Sequence, residues 1–294
     1  MLFKLCKNSS VKSILVVSLS NIGDVVLTCP VIDCLLRDFP NATISVIVGP
    51  KATSLFANHP RIKTILFDKQ QPWAQWFLKL RPKSYSVLID LRQSGLGLFL
   101  PCHFSTPLIP KPFAGHMRLK HLQRLKTVYP GFVVPQEHLA IVPKPLGQLM
   151  HTPGYVVIAP GAANRNKRWN EEGFTAVAEA LAAQGRKIVF VGDQNDEPLV
   201  RGIQAKMRSP SLSLAGKIDL RELAFVLQNA KFALTHDSGV MHMACYFDVS
   251  LVVLWGPTDR DKYGPWSKNA VTVFRGVDMS SIAVKDVLNA IAQL

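Results

Sequence analysis

The sequence has few cysteines and no long uncharged stretch. Its five cysteines, among 294 residues, are scattered and form no C-x-x-C pair. This argues against a disulfide framework and against a thiolate zinc site. No apolar run approaches the roughly 18–20 residues of a membrane-spanning helix, and the basic N-terminus lacks the apolar core of a signal peptide. We therefore expect a cytoplasmic protein with buried, reduced thiols.

Two common phosphate-binding signatures are also missing. The chain contains neither G-x-G-x-x-G nor G-x-x-x-x-G-K-[ST], which argues against a dinucleotide oxidoreductase and a P-loop enzyme. No recognised nucleic-acid-binding module is present, so nucleic acid is not a predicted partner. His236 and His242 lie close enough to Asp237 to suggest a metal, but a further ligand at a suitable spacing is missing. We predict no metal site.

Acidic residues are scarce in the first half of the chain. Residues 1–150 hold 18 Lys/Arg and 6 Asp/Glu, a net charge of +12, whereas residues 151–294 hold 16 and 14, a net charge of +2. Such asymmetry indicates an anionic partner for the first half, which could be nucleic acid, an acidic membrane surface or an acidic substrate. The alternative is a generic basic surface that aids solubility, but the difference between the halves favours a partner.

Both halves alternate strand and helix patterns. The apolar, β-branched runs are continuous, as expected for parallel strands covered on both faces. They occupy 13–19, 43–49, 64–68, 86–91, 155–161, 186–192, 211–216, 231–237 and 250–256. Such a pattern predicts parallel sheets built of βαβ units, which bind ligands at the carboxyl ends of their strands.

Prolines and glycines are concentrated between residues 130 and 153, which indicates a linker. We predict two domains, 1–145 and 146–294, with a cleft between them. An amphipathic helix over 280–294, capped by Ser280 or Ser281, is predicted to close the chain. Packing of this helix back on the first domain is one option.

The loop SLSNIGDVV, over 18–26, follows the first predicted strand and leads into a helix. Asp24 falls in the first turn of that helix, where it could serve as a capping carboxylate. It could instead be a general base at the edge of the sheet, able to take a proton from an acceptor hydroxyl. The spacing alone leaves both roles open.

A basic cluster follows a turn of small residues in the second half. The turn at 160–163 lets backbone amides approach an anion, and Arg165, Lys167 and Arg168 can neutralise phosphates. Trp169, which follows, is more typical of a core anchor than of a ligand platform.

Two further loops of the second half could bind phosphate. Asp237, Ser238 and Gly239 precede a helix whose first amides form an anion site, with His242 one turn later. Thr258 follows a Gly-Pro turn and could hydrogen-bond a phosphate. The alternative for the first loop is that Asp237 and Ser238 cap the helix and His242 is hydrogen-bonded within the protein. The alternative for the second is a plain turn followed by a helix cap at Thr258 or Asp259.

An aromatic stripe with basic flanking residues lies in the first half, between residues 69 and 85. Between residues 69 and 85 the apolar side chains recur at helical spacing and basic side chains flank them. The segment could anchor the protein on an anionic membrane or simply pack a helix on the sheet.

Taken together, these motifs resemble glycosyltransferase family 9, the heptosyltransferase family. In the first half the similar stretches are SLSNIGDVVLTCPVIDCLLRDFPNATISVIVG and LIDLRQSGLG. In the second half they are PGAANRNKRWNEEGF, LRELAFVLQNAKFALTHDSGVMHMACYFDVSLVVLWGPTD and the closing helix. An isolated GD or DSG would carry little weight, whereas this ordered set spans nearly the whole chain.

The resemblance implies an α/β protein of the GT-B class, with two facing doubly wound Rossmann-like domains and mostly parallel sheets. It implies an inverting transfer of heptose from ADP-L-glycero-D-manno-heptose to the inner core of lipopolysaccharide. We expect an anionic acceptor of the Kdo-lipid A type, no cofactor or divalent metal, and a monomer peripheral to the inner face of the bacterial inner membrane.

The resemblance also implies roles for individual residues. Asp24 would be the catalytic base, and Ile218 would pack on the adenine of the donor. Donor-binding residues are expected at Lys167, Ile218, Asp237, Ser238, Gly239, His242 and Thr258, and acceptor-binding residues at Ser20, Asn21, Gly23, Arg92 and Lys120. Ala162 and Ala163 stand where family members often have hydroxyl residues, so phosphate contacts there would come from the backbone.

Two other classes of function remain open. One is a GT-B enzyme acting on another nucleotide sugar, as an epimerase, a hydrolase or a different glycosyltransferase. The other is a non-catalytic protein that binds a nucleotide sugar or lipopolysaccharide.

Overall fold

The computed structural model describes residues 5, 11–67, 78, 80, 84–109 and 112–294. Backbone contacts divide the chain into two compact units, Met1–Val142 and Pro143–Leu294, which we call the first and second unit. This division lies three residues before the predicted one. The predicted amphipathic segment at 69–85 falls almost entirely outside the described residues.

The first unit is built on a parallel sheet. In the part of this unit that the structure describes, the strands include β1 (Ser13–Val17), β2 (Thr43–Val48), β3 (Ile62–Leu66), β4 (Tyr85–Asp90) and β5 (Cys102–Ser105), and the helices include α1 (Ile22–Val26), α2 (Cys29–Asp38) and α3 (Met117–Val128). Among the described residues the strand order is β3-β2-β1-β4-β5. The central strand, β1, pairs with both β2 and β4. The loops after β1 and β4 therefore leave the sheet side by side.

The second unit repeats this plan. Its strands are β6 (Tyr155–Ala159), β7 (Ile188–Phe190), β8 (Ser211–Ser213), β9 (Ala230–His236), β10 (Leu251–Trp255) and β11 (Ala270–Phe274). Its helices are α4 (Glu171–Ala183), α5 (Glu197–Lys206), α6 (Leu220–Gln228), α7 (Gly239–Tyr246), α8 (Arg260–Tyr263) and α9 (Val284–Ile291). The sheet is parallel, with the order β11-β10-β9-β6-β7-β8. The loops after β6 and β9 are therefore neighbours.

The predicted strands of the sheet centres are present, but two edge strands were not predicted. β5 alternates half-buried and exposed residues, and β11 is mostly half-buried. Neither strand has the continuous apolar run of the strands that are covered on both faces. β3 begins at Ile62, two residues before the predicted run.

The predicted cap of the last helix is wrong. α9 begins at Val284, and a short 3₁₀ turn at Met279–Ser281 precedes it. The hydroxyl of Ser281 donates instead to the carbonyl oxygens of Arg275 and Asp278, at 2.7 and 2.6 Å. α9 contacts α4, β10 and β11 within the second unit.

Candidate active-site residues

Lys167 and Asp237 form an ion pair in the second unit. The Lys167 Nζ lies 2.6 Å from the Asp237 Oδ2, and the side chains are 24% and 8% exposed. Lys167 ends a 3₁₀ turn in the loop after β6, whereas Asp237 directly follows β9. Because these strands are adjacent in the sheet, the fold brings together two residues that are 70 positions apart in the chain. The result is a partly exposed ammonium group whose direction is set by a carboxylate.

The turn that carries Lys167 is held closely against its neighbours. The Arg168 Nε donates to the carbonyl oxygen of Ala162 at 2.8 Å, and the Arg168 guanidinium lies 3.4 Å from the Asp196 carboxylate. A Cβ at Gly161 would overlap that carboxylate, so only glycine allows the approach. Burial raises the pKa of Asp196 above its ordinary value. Asp196 is a residue that the sequence analysis missed.

The turn leads directly into α4, whose first residues are well capped. The side chain of Asn170 accepts a hydrogen bond from the backbone N–H of Gly173 at 2.7 Å. Glu171 and Glu172 lie in the first turn, where negative carboxylates interact favourably with the positive end of the helix dipole. The end of the Lys167 turn is thus fixed by a stable helix start.

A cavity of about 500 Å³ opens beside this turn. It is lined on one side by Arg165, Asn166 and the 168–170 segment, and on the other by Pro257 and residues 277–280. Lys167 is not part of the lining. The cavity is therefore adjacent to the ion pair and is not centred on it.

The start of α7 lies next to the ion pair in the chain. Among the described residues, the side chain of Ser238 makes no capping bond to this helix; its hydroxyl lies 3.2 Å from that of Thr235. Ser238 is the N-cap residue, but its side chain does not cap this helix within the described part of the chain, and Asp237 is paired with Lys167. The first amides of α7 can serve the predicted anion site. His242 is only 4% exposed, and its contact with a ligand stays a prediction.

The remaining predicted donor residues lie at the same edge of the sheet. Thr258 is half-buried, and its carbonyl oxygen accepts a hydrogen bond from the Trp255 indole at 2.8 Å. Asp259, the next residue, caps α8, as one of the alternatives proposed. Ile218 is half-buried and precedes Asp219, which caps α6. The contacts of Thr258 and Ile218 with the nucleotide stay predictions.

In the first unit, Asp24 lies in the first turn of α1 and is half-buried. Its Oδ2 accepts a hydrogen bond from the side-chain amide of Asn21 at 3.0 Å. Gly23 is the adjacent residue of the helix. The carboxylate is thus oriented by a neighbouring side chain, which suits a base as well as a helix-terminal charge.

Arg92 reaches the same loop from β4. Its Nη1 donates to the Ser20 hydroxyl at 3.1 Å, and its guanidinium lies 4.3 Å from the centre of the Phe67 ring. The fold therefore brings together four of the five predicted acceptor residues, namely Ser20, Asn21, Gly23 and Arg92. Lys120 belongs to α3 and is not part of this group. Gly49 was missed by the sequence analysis, although a Cβ there would lie 2.8 Å from the Ser20 backbone.

The loop that carries Arg92 is closed by the buried Asp90. Its Oδ2 accepts hydrogen bonds from the Ser94 amide and hydroxyl and from the Gly95 amide, at 2.7, 3.0 and 3.1 Å. Its carbonyl oxygen accepts two more from the Arg124 guanidinium, at 3.1 and 2.8 Å. The sequence analysis did not single out Asp90 or Arg124. In the sequence, Asp90 is recognisable only as the end of a strand, and Arg124 only as one of several basic residues in a helix. They support the direction in which Arg92 leaves the sheet.

The described residues contain neither a cluster of metal ligands nor a helix that could span a membrane. No three side chains of His, Cys, Asp or Glu in this part of the chain come together as metal ligands would. Likewise, none of the helices in the described ranges combines the length and the hydropathy that crossing a bilayer requires.

The comparison with protein families decides the identity. The family model of glycosyltransferase family 9 (heptosyltransferase) matches residues 132–286, more than half of the chain. The chain belongs to glycosyltransferase family 9. It is therefore a glycosyltransferase, and its resemblance to this family is confirmed.

Curated relatives in this family span most of the chain. Lipopolysaccharide heptosyltransferase 3 of Escherichia coli is 26% identical over 293 residues, which cover 86% of each protein. Lipooligosaccharide heptosyltransferase 2 of Haemophilus influenzae is 25% identical over 320 residues, which cover 93% of this chain and 91% of the relative.

Solved structures of the family share the fold. E. coli heptosyltransferase WaaC with ADP matches with a TM-score of 0.79 and 18% identity, covering 96% of this chain and 99% of that one. E. coli ADP-heptose lipopolysaccharide heptosyltransferase II matches with a TM-score of 0.77 and 20% identity, covering 96% and 98%. The predicted GT-B class, with two Rossmann-like units and parallel sheets, is confirmed.

Proposed function

We propose that this family 9 glycosyltransferase moves a heptose from ADP-L-glycero-D-manno-heptose to the inner core of lipopolysaccharide, with inversion at the anomeric carbon. Relatives that cover 86% and 93% of the chain are named as lipopolysaccharide or lipooligosaccharide heptosyltransferases. The related WaaC binds ADP and ADP-2-deoxy-2-fluoro heptose in its solved structures. The observation that carries the proposal is the Lys167–Asp237 pair beside the start of α7. This is an arrangement suited to a diphosphate.

The proposed chemistry assigns one proton and two bonds. The Asp24 carboxylate takes the proton of an acceptor hydroxyl, whose oxygen attacks the anomeric carbon of the heptose. As that bond forms, the bond from the carbon to the diphosphate breaks and ADP leaves with the electron pair. The Lys167 ammonium and the first amides of α7 stabilise the charge that grows on the diphosphate. Because these groups supply the positive charge, we propose that no divalent metal is needed.

The acceptor is proposed to be a phosphorylated, Kdo-bearing lipid. Between Asp90 and Glu137 the chain holds six Lys/Arg and no Asp/Glu, a charge balance that favours phosphate and carboxylate groups. Arg92 leaves the sheet at the Asp24 loop, bonded to Ser20. Its planar guanidinium suits bidentate binding of either anion.

The transfer assay is the direct test of this proposal. Purified enzyme is incubated with ADP-heptose, ADP-glucose or UDP-glucose, with and without a Kdo-bearing lipid A acceptor, and the products are weighed by mass spectrometry. We expect one heptose to be added to the acceptor from ADP-heptose alone, at the same rate with EDTA. Release of ADP or of an altered sugar without acceptor would instead support a hydrolase or epimerase. Binding of ADP-heptose with no turnover would support a non-catalytic role.

The enzyme is also proposed to work at the cytoplasmic face of the inner membrane, bound peripherally. In the segment 91–136, which has no acidic residue, seven described large apolar side chains are exposed. They are Leu98, Phe99, Leu108, Ile109, Leu119, Val133 and Val134. Exposed apolar side chains in a cationic segment suit an anionic lipid surface.

Binding to anionic vesicles is expected to fall as salt is added, because the attraction is screened. Ile109, which is 83% exposed, would insert its side chain, so Ile109→Glu is expected to weaken binding in a vesicle sedimentation assay. Val277→Glu is the matched control, since Val277 is 68% exposed in the second unit. Salt-independent binding, or an equal loss in both variants, would contradict this surface.

A further inference from the structure

His236 is a buried histidine that the proposed chemistry does not use. It ends β9 and is 0% exposed. Its Nε2 accepts a hydrogen bond from the backbone N–H of Trp169 at 2.9 Å, and its Nδ1 lies 3.4 Å from the carbonyl oxygen of Gly161. Gly161 and Trp169 flank Lys167 in the chain. One imidazole ring therefore joins both ends of the turn that carries Lys167.

These two contacts require a single protonation state. An N–H group can only donate and a carbonyl oxygen can only accept, so Nε2 carries no proton and Nδ1 carries one. Burial lowers the pKa of His236 to about 4; the Gly161 hydrogen bond and the Asp237 carboxylate act against this, and the Arg168 charge adds to it. The ring is therefore neutral at pH 7. Protonation would place an N–H of the ring against the N–H of Trp169.

Aromatic packing fixes the plane of the ring. The Phe174 ring meets the imidazole edge to face, with centroids 5.2 Å apart and planes at 84°. Phe174 also meets the Trp169 ring, at 5.2 Å and 71°, and the Trp169 indole donates to the carbonyl oxygen of Ile282 at 2.9 Å. Because the ring cannot turn without disturbing this packing, its two nitrogens stay directed at the turn.

We propose that His236 is a positioning residue for the donor: its neutral imidazole holds the turn so that the Lys167 ammonium reaches both Asp237 and the donor diphosphate. Asp237 directly follows His236, so two consecutive residues at the end of β9 contact the Lys167 turn. The imidazole holds the backbone, and the next carboxylate holds the Nζ. This inference rests on the proposed function, because it assigns a purpose to the site that binds the donor.

The test compares two variants with a matched control. His236→Phe keeps a ring of similar shape and removes both polar contacts, whereas His236→Gln keeps an oxygen able to accept from the Trp169 N–H. Since a small misplacement of a binding group can cost up to about 100-fold, we expect the dissociation constant for ADP to rise about tenfold or more for Phe. For Gln we expect a smaller rise. In transfer assays the donor KM should rise more than kcat falls.

The control is His121→Phe. His121 is also a buried histidine, 2% exposed, and burial lowers its pKa to about 4, but it lies on α3 of the first unit. We expect this variant to bind ADP as the wild type does. Circular dichroism and thermal melts identify any variant that fails to fold.

Two readouts report on the positioning itself. In the wild type, ¹⁵N-histidine spectra should show His236 as the Nδ1–H tautomer at neutral pH, and the Trp169 amide should be protected from hydrogen exchange. This protection of the Trp169 amide should be lost in the His236→Phe variant and partly kept in the His236→Gln variant. An Nε2–H tautomer, or folded Phe and Gln variants with wild-type affinity for ADP, would overturn the inference. If the wild type binds neither ADP nor ADP-heptose, the proposed function fails. If the protein binds ADP but His236 is the Nε2–H tautomer, only the positioning role is contradicted.

Discussion

Replacing Asp24 with asparagine is expected to lower kcat for heptose transfer by about 10²–10⁴-fold, the usual contribution of a positioned general base. The dissociation constant for the donor should hardly change, because the donor residues lie in the second unit. Asparagine keeps the size of the side chain and an oxygen that can accept from Asn21, so the loop retains its hydrogen bond. Single-turnover transfer and calorimetric titration with ADP measure the two quantities.

This substitution also separates the two roles that the spacing left open. In the first turn of a helix a carboxylate contributes only about 0.3–1 kcal/mol through the helix dipole, so if Asp24 had only this role the variant would lose little stability and little activity. Glu137→Gln is the matched control, since it removes one exposed carboxylate from the same unit. Nearly normal kcat in the Asp24 variant would remove the base assignment, and an equal loss in both variants would point to net charge.

The sequence predicted the centre of each sheet and one of its two edge strands, but it missed the other edge strand, β5 in the first unit and β11 in the second. Runs such as 14–17 and 251–255 are apolar at every position because helices cover both faces, and that pattern is visible without a structure. β5 has no such run, because an edge strand meets solvent on one side. The loops at the carboxyl ends were predicted for the same reason, since each directly follows a recognisable strand.

The partners of the site residues could not be predicted in the same way. Two contacts, that of Lys167 with Asp237 and that of Arg92 with Ser20, depend on which strands are neighbours in the sheet. Local sequence patterns do not indicate the order of the strands. The hydrogen bonds that join His236 to Trp169 and to Gly161 depend further on the register of β9 against β6. Sequence motifs therefore gave candidate residues, while the tertiary structure gave the pairs that orient them.

Replacing Lys167 with methionine is expected to have the second large effect. Hydrogen bonds to charged groups contribute about 1.5–3 kcal/mol, so the dissociation constant for ADP should rise by roughly ten- to a hundredfold. The rate of transfer should fall too, because the lysine would no longer stabilise the charge on the leaving diphosphate. Lys206→Met is the control, since Lys206 also pairs with carboxylates, those of Glu171 and Glu172, but at the exposed surface.

The single variant has one ambiguity, which a double variant resolves. Without Lys167, the Asp237 carboxylate, which is 8% exposed, would stay unpaired and could repel the diphosphate by itself. Lys167→Met combined with Asp237→Asn removes that charge as well. If the ammonium binds the diphosphate directly, the double variant should bind ADP at most a few-fold more tightly than Lys167→Met does. The hydrogen bonds from the ammonium to the diphosphate are missing in both variants. Recovery of wild-type affinity would mean that Lys167 only neutralises Asp237, and the diphosphate would then have to be held by the amides of α7 alone.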